Sequence, residues 1–225
     1  MATSKATPSN ERGKMFENPV LDALTRTHIA APLIIFYGLA VGILFYVIYW
    51  GIMSASASIM AFVIGFFSFT LLEYVAHRFA YHMEETTPFR KRMVYIMHGV
   101  HHDHPKDKSR LAMPPFLSVI LAAGFFFLYK LTMGDFGMPF TAGFIAGYAT
   151  YLCVHYSVHA FRPPNNFLKT LWIHHAIHHY QNPEVAFGVS SPLWDVVFGT
   201  MPAKKSTAQE KKHAGFIDDD RKVRL

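Results

Sequence analysis

No charged residue occurs between Ile29 and Leu72, a run of 44 residues. A helix needs about 20 residues to cross the hydrocarbon core of a bilayer, so the run holds two passes joined by a turn. The stretch Ser54-Ala55-Ser56-Ala57-Ser58 marks the expected turn. A second pair follows, Leu111–Tyr129 and Phe136–Val154, each 19 residues, with Gly134-Asp135-Phe136-Gly137 turning between them. These runs lack the alternation of barrel strands, and a helix satisfies its own backbone groups in lipid. Helices buried in a soluble protein would carry polar faces, which these lack. Composition agrees: 52% of residues are hydrophobic and 16% charged, where a soluble domain has about a quarter charged.

Lys and Arg placement sets the expected topology. Residues 1–28 hold four, 73–110 hold seven and 161–225 hold nine, whereas the two opposite turns hold Lys130 alone. The positive-inside rule then puts both termini and the central loop in the cytoplasm. The net charge of +6 forms no aromatic-interleaved patch, so no nucleic-acid partner is expected. Residues 1–28 are polar and show no cleavable signal peptide, and the single Cys153 excludes an intrachain disulfide or a cysteine-based metal site. The expected architecture is an all-α integral membrane protein with four transmembrane helices in two hairpins and a cytoplasmic histidine-rich helical cap. Its parts are a cytoplasmic segment 1–28, a membrane-embedded unit 29–202 and a polar C-terminal tail 203–225.

Fourteen histidines are present, and ten form four groups on the cytoplasmic side: His77 and His82; His98, His101 and His102; His155 and His159; His175, His178 and His179. Each hairpin thus delivers one pair and one triple. Spacings of three and four residues bring side chains to one helix face. His77 and His82 break that rule, since five residues turn an ideal helix about 500°, so the helix should distort there. Neutral imidazole is a good ligand for iron, copper, zinc and nickel. Ten exceed what one ion can use, so two metal ions sharing them is the natural count. Packing alone gives no reason for such spacing, and protonated rings would repel one another. His28 and His213 read as ordinary surface residues, and His104 and His174 fall off the repeated spacing. A metal transporter would place ligands in mid-span, and a membrane zinc hydrolase would want a carboxylate inside its motif, as in H-E-x-x-H.

The segments Glu73-Tyr74-Val75-Ala76-His77-Arg78-Phe79-Ala80-Tyr81-His82, His98-Gly99-Val100-His101-His102, His155-Tyr156-Ser157-Val158-His159 and His175-Ala176-Ile177-His178-His179 resemble the histidine boxes of the fatty acid hydroxylase/sterol desaturase superfamily. The stretches Pro105–Pro115 and Phe187–Thr200 resemble its fatty acid 2-hydroxylase branch, and the likeness runs from about Leu71 to Pro202. The resemblance implies a di-iron oxidoreductase that uses O2 as co-substrate to hydroxylate a lipid acyl chain, at C2 of a fatty acyl group or acyl lipid. Zinc can replace iron in purified members. The ten grouped histidines are then the metal ligands. Glu73 and Asp195 are candidates to orient ligand N–H groups, and Tyr151 and Trp194 to line the acyl channel. The branch carries Tyr-Asp before its third box and a second histidine after it, where this chain has Tyr151-Leu152 and Ala160. A carotenoid or sterol hydroxylase or desaturase is the alternative that similar boxes leave open. Twenty-eight leading residues are too few for the cytochrome b5 domain fused in some relatives. The expected electron donor is therefore separate, cytochrome b5-like or ferredoxin-like. The setting is a bacterial inner membrane or the endoplasmic reticulum.

Overall fold

The computed structural model describes residues 13–203, and among them every regular element is helical. A short helix α1 (Pro19–Leu24) starts where the Asn18 side chain accepts the Val20 and Leu21 amides. Then come α2 (Ala30–Tyr49) and α3 (Ala55–Val75), the latter prolonged by a π-helical turn, Ala76–Tyr81. α4 (Pro88–Val94), a second π-helical turn (Tyr95–Gly99) and α5 (Val100–Asp103) form one continuous helical unit. α6 (Pro115–Met133) and α7 (Gly137–Ala160) follow, then α8 (Lys169–Tyr180) and α9 (Leu193–Val197).

Three helical stretches are long and apolar enough to cross a membrane: Ala30–Tyr49, Ala55–Tyr81 and Lys108–Ala160. The third contains both α6 and α7, with the turn Gly134–Phe136 between them. Their outer faces are apolar and bare, as at Ile34, Phe45, Phe127 and Leu131, which suits lipid as solvent rather than water. The first turn lies earlier than expected. Gly51 takes φ +64°, Ser54 caps α3 by accepting the Ala57 amide at 3.3 Å, and Ser56 and Ser58 lie inside the helix. α6 likewise begins at Pro115 rather than Leu111, because a proline fits the first helical position but disfavours helix in the residue before it.

α7 is the buried spine. Phe140, Ala142, Phe144, Ile145, Ala146 and Ala149 pack against Phe36 and Ala40 of α2 and Phe69 of α3. A Cβ on Gly143 would strike the Phe62 carbonyl, and one on Gly65 the Phe140 carbonyl, so the α3 and α7 backbones touch through glycine. At the histidine end, the chain before α2 is pinned to the Pro105–Pro115 stretch. Arg26 donates to Asp22 and Asp107 at 3.0 and 3.1 Å, and buried Arg110 donates to Gly13 O, Thr25 Oγ1 and Asp22.

Substituting Gly143→Ala should force α3 and α7 apart and lower stability by about 1–3 kcal/mol. Gly124→Ala, which meets nothing within 4 Å, should leave stability unchanged or raised. Thermal unfolding in detergent distinguishes the two; equal behaviour would contradict the backbone contact.

Candidate metal centre

Local helix geometry delivers the first pair. α3 runs into the π-helical turn Ala76–Tyr81, whose i→i+5 bonding brings residues five apart toward register. His77 and His82 therefore face one another across it, with ring centroids 5.2 Å apart. The helix distortion expected from their spacing takes this form. His155 and His159, four apart near the end of α7, need no such device.

All ten grouped histidines meet in two sets of five. In each set the candidate ligand atoms lie within 4.8 Å of one another. The first cluster is His77, His82, His98, His102 and His178; the second is His101, His155, His159, His175 and His179. Each triple is divided: its i and i+4 members join the pair from their own hairpin, and the middle member crosses to the other cluster. Adjacent residues on a helix project about 100° apart, so His101 and His102, or His178 and His179, diverge. Nε2 atoms approach at 3.0 Å for His77–His98, 2.9 Å for His98–His102 and 3.0 Å for His82–His178. In the second cluster the separations are 3.0 Å for His101–His155, 3.1 Å for His101–His179 and 2.7 Å for His159–His175.

The donor set fits metal ions. Nδ1–H of His77 donates to the Phe187 carbonyl at 2.6 Å, that of His178 to Val185 O at 2.9 Å, and that of His155 to Leu111 O at 3.3 Å. A carbonyl only accepts, so in the neutral tautomer each of these rings turns a bare Nε2 lone pair toward its neighbours. Lone pairs gathered at such distances repel unless a cation lies among them. Two nitrogens each ~2.1 Å from one ion stand roughly 3 Å apart. Burial also keeps these rings uncharged. It lowers the pKa of His82 to about 4 and, with repulsion from His82, that of His178 to about 3. Burial and then neighbouring imidazoles push His98, His101, His102, His175 and His179 well below the usual range.

Glu73 and Asp195 reach the clusters through backbone rather than by touching a ligand ring. Asp195, wholly buried, accepts the Phe187 and Gly188 amides at 2.9 and 2.8 Å, Thr200 Oγ1 at 2.6 Å and His174 Nε2 at 2.9 Å. Glu73 accepts the Val189 and Ser190 amides at 2.7 and 2.9 Å, together with the Ser190 hydroxyl. Two carboxylates thus hold four consecutive amides. Within this loop Ala186 adopts φ +61°, a left-handed conformation that costs a non-glycine residue about 1–2 kcal/mol. Trp194 donates to Thr70 Oγ1 at 3.0 Å, and Tyr151 stacks on His155.

His174 lies outside both clusters, as its spacing implies, and pairs with Asp195. His28 accepts the Ala30 amide at 3.3 Å. His213, residues 1–12 and the tail from 204 onward lie outside the described residues. The carbonyls of Leu111, Val185 and Phe187 escaped sequence reasoning, since any residue type supplies a carbonyl. The one available signal was that they belong to or adjoin the stretches 105–115 and 187–200.

Two cavities adjoin the clusters. One, of about 150 Å³, is lined by Phe36, Phe69, Phe125, Phe144 and Ile145, with Glu73, His77 and Tyr151 also on its wall. The other, of about 340 Å³, is bordered by His98, His101, His155, Phe16, Arg110 and Leu152. Tyr81, Met113, Tyr148 and Tyr151 line both, and so form a collar between them.

The depressed histidine values carry a stability consequence. The unfolded chain takes up protons near the ordinary value of 6.5, before the folded rings do. Stability of metal-free protein is therefore complete above pH 6.5 and is lost as pH falls toward the folded values of about 4 and about 3. The unfolding midpoint of chelator-stripped protein should drop steadily across that window; a flat profile would contradict burial of neutral rings.

The sequence pattern of the fatty acid hydroxylase family matches residues 62–200. The ceramide very long chain fatty acid hydroxylase scs7 of Schizosaccharomyces pombe is 41% identical over 149 residues, covering 64% of this chain and 43% of that protein. The dihydroceramide fatty acyl 2-hydroxylase FAH1 of Arabidopsis thaliana is 36% identical over 150 residues, 66% of this chain and 63% of that one. The chain thus spans about half the length of these relatives. A solved structure described as full-length scs7p with only its hydroxylase domain visible superposes with a TM-score of 0.78 at 32% identity, covering 85% of this chain and 73% of that one. The matched region contains all ten clustered histidines and the carboxylate-held loop, and the chain belongs to the fatty acid hydroxylase family.

Proposed function

We propose that the chain is an O2-dependent hydroxylase of a lipid acyl chain, acting at C2 of a fatty acyl group or acyl lipid with two iron ions. One observation carries this reading: two sets of five imidazoles lie at one end of long apolar helices, and one set reaches an aromatic, apolar cavity through His77. Bound iron supplies the dioxygen activation that attack on an unactivated C–H bond requires, which side-chain acids and bases cannot provide. His77, His82, His98, His102 and His178 hold one ion, and His101, His155, His159, His175 and His179 the other; zinc suits the same nitrogens. Phe69, Phe125 and Phe144 bind the acyl chain and exclude water. The larger cavity, bordered by His98, His101 and His155, receives the polar head. With tail and head so divided, the carbons next to the acyl carbonyl lie at the Tyr81–Tyr151 collar, nearest the histidines. The names of the relatives support an acyl chain carried on a ceramide-type lipid.

In this reading α6 and α7 cross separately, giving four passes, and the excess of Lys and Arg on the histidine side makes that side cytoplasmic. Residues 29–202 form the membrane-embedded di-metal unit between segments 1–28 and 203–225. The membrane is a bacterial inner membrane or the endoplasmic reticulum. Electrons come from a cytochrome b5-like or ferredoxin-like donor.

Expression with a compatible donor should yield lipids heavier by a single oxygen, with fragmentation placing the hydroxyl on C2 and isotopic label arriving from dioxygen. Label from water would overturn the mechanism. A new double bond, or a hydroxylated carotenoid or sterol ring, would move the substrate to another class, and metal uptake with no lipid product would favour a transporter.

His101→Ala and His178→Ala each remove the ligand that one hairpin lends to the other cluster, and should lower turnover by more than ~100-fold. His28→Ala should stay near wild type. Equal loss in all three, measured by product formation at matched protein levels, would contradict the cluster assignment.

A further inference from the structure

The two clusters are not built alike around their outer nitrogens. In the first, His77 and His178 give their Nδ1 protons to Phe187 O and Val185 O at 2.6 and 2.9 Å. Both carbonyls belong to a loop whose five consecutive amides, Ala186 to Ser190, are each taken by a fixed acceptor. Thr200 O takes Ala186, Asp195 takes Phe187 and Gly188, and Glu73 takes Val189 and Ser190. His174 and Thr200 hold Asp195 in turn, and Gly188 leaves no room for a Cβ beside Ser191 and Asp195. In the second cluster, Nδ1 of His101, His175 and His179 is buried without a hydrogen-bond partner among the described residues. The Nδ1 bond that His155 makes to Leu111 O is long, at 3.3 Å.

We propose that the first cluster holds its metal more firmly than the second, and that Asp195 and Glu73 are positioning residues for that first site alone. The assignment rests on the two-metal reading above. The physical reason is the ligand's second nitrogen. An imidazole bound through Nε2 carries its proton on Nδ1, and an acceptor there fixes the ring and raises its basicity. A buried N–H with no acceptor works against the metal-bound form. The carboxylates act at one remove: by immobilising the loop backbone they aim two carbonyls. Their effect should therefore stop at the cluster those carbonyls face.

The test is metal release from the full chain, purified in detergent, loaded with zinc and dialysed against EDTA, with zinc per chain followed by elemental analysis. Wild type should start with two equivalents and lose them in two phases at least ~10-fold apart in rate. His159→Ala should start with the slow equivalent only, and His82→Ala with the fast one only; the reverse pairing overturns the assignment. Asp195→Asn should quicken the slow phase by roughly 10-fold or more while leaving the fast phase unchanged, whereas general destabilisation would quicken both. If Asp195→Asn does not accumulate as folded protein, Ser190→Ala, which removes one hydroxyl from Glu73, decides the matter. It should quicken the slow phase severalfold, and an unchanged slow phase overturns the proposal. Two equivalents released in one phase by wild type defeat this inference and spare the two-metal reading. Fewer than two at the start defeats both.

Discussion

Contact between the α3 and α7 backbones, made possible by Gly65 and Gly143, governs what is built at the histidine end of the molecule. Any larger residue at either position would separate the helix axes. Because the two helices touch, the π-helical turn after α3 and the last turns of α7 each carry a histidine pair into the two clusters. His77 and His82 then enter one cluster and His155 and His159 the other. The remaining six histidines, on the units that include α5 and α8, close over this platform. A device in mid-helix thereby sets a distance at the helix ends.

Exchange of ligands between the halves follows from the helix itself. An HH dipeptide cannot point both rings at one ion, since successive residues diverge by about 100°. In each H-x-x-H-H motif one ring must therefore leave its group, and His101 and His178 are the rings that leave. Neither hairpin can complete a five-imidazole set unaided. A metal ion held in either cluster would join the hairpins, just as the α3–α7 contact does from below, and would couple formation of the site to tertiary docking.

Buried carboxylates near a candidate metal centre suggest acid–base work, yet Glu73 and Asp195 are consumed by backbone amides, hydroxyls and His174. What they shape is a loop whose carbonyls face His77 and His178, with Ala186 kept in a left-handed conformation it would not otherwise adopt. Glu73 also reaches the wall of the aromatic cavity. The same side chain therefore belongs both to that cavity wall and to the hydrogen-bond network of the loop facing His77. Leu152, where the 2-hydroxylase branch carries an aspartate, lies buried against the larger cavity and makes that wall apolar.

The amino-acid order alone determined the helical class, the long apolar helices and the ten histidines that come together. Each depends on short-range periodicity: unbroken apolar runs, and imidazoles three, four or five residues apart. It also made helix distortion between His77 and His82 legible, because five residues cannot align on an α-helix. Where the first turn falls was less legible, since Gly51 and the Ser54 cap decide it and neighbouring serines look equivalent in one dimension. Only the tertiary structure decided how the ten divide, because both outcomes satisfy the same spacing and the choice rests on which helix lies across from which. The orienting groups, too, belong to the fold alone. The carbonyls of Leu111, Val185 and Phe187 carry no side-chain signature, and Glu73 meets Val189 and Ser190 across 116 and 117 residues of chain. Local sequence encodes which way a side chain leaves its helix; what it meets there is settled by packing.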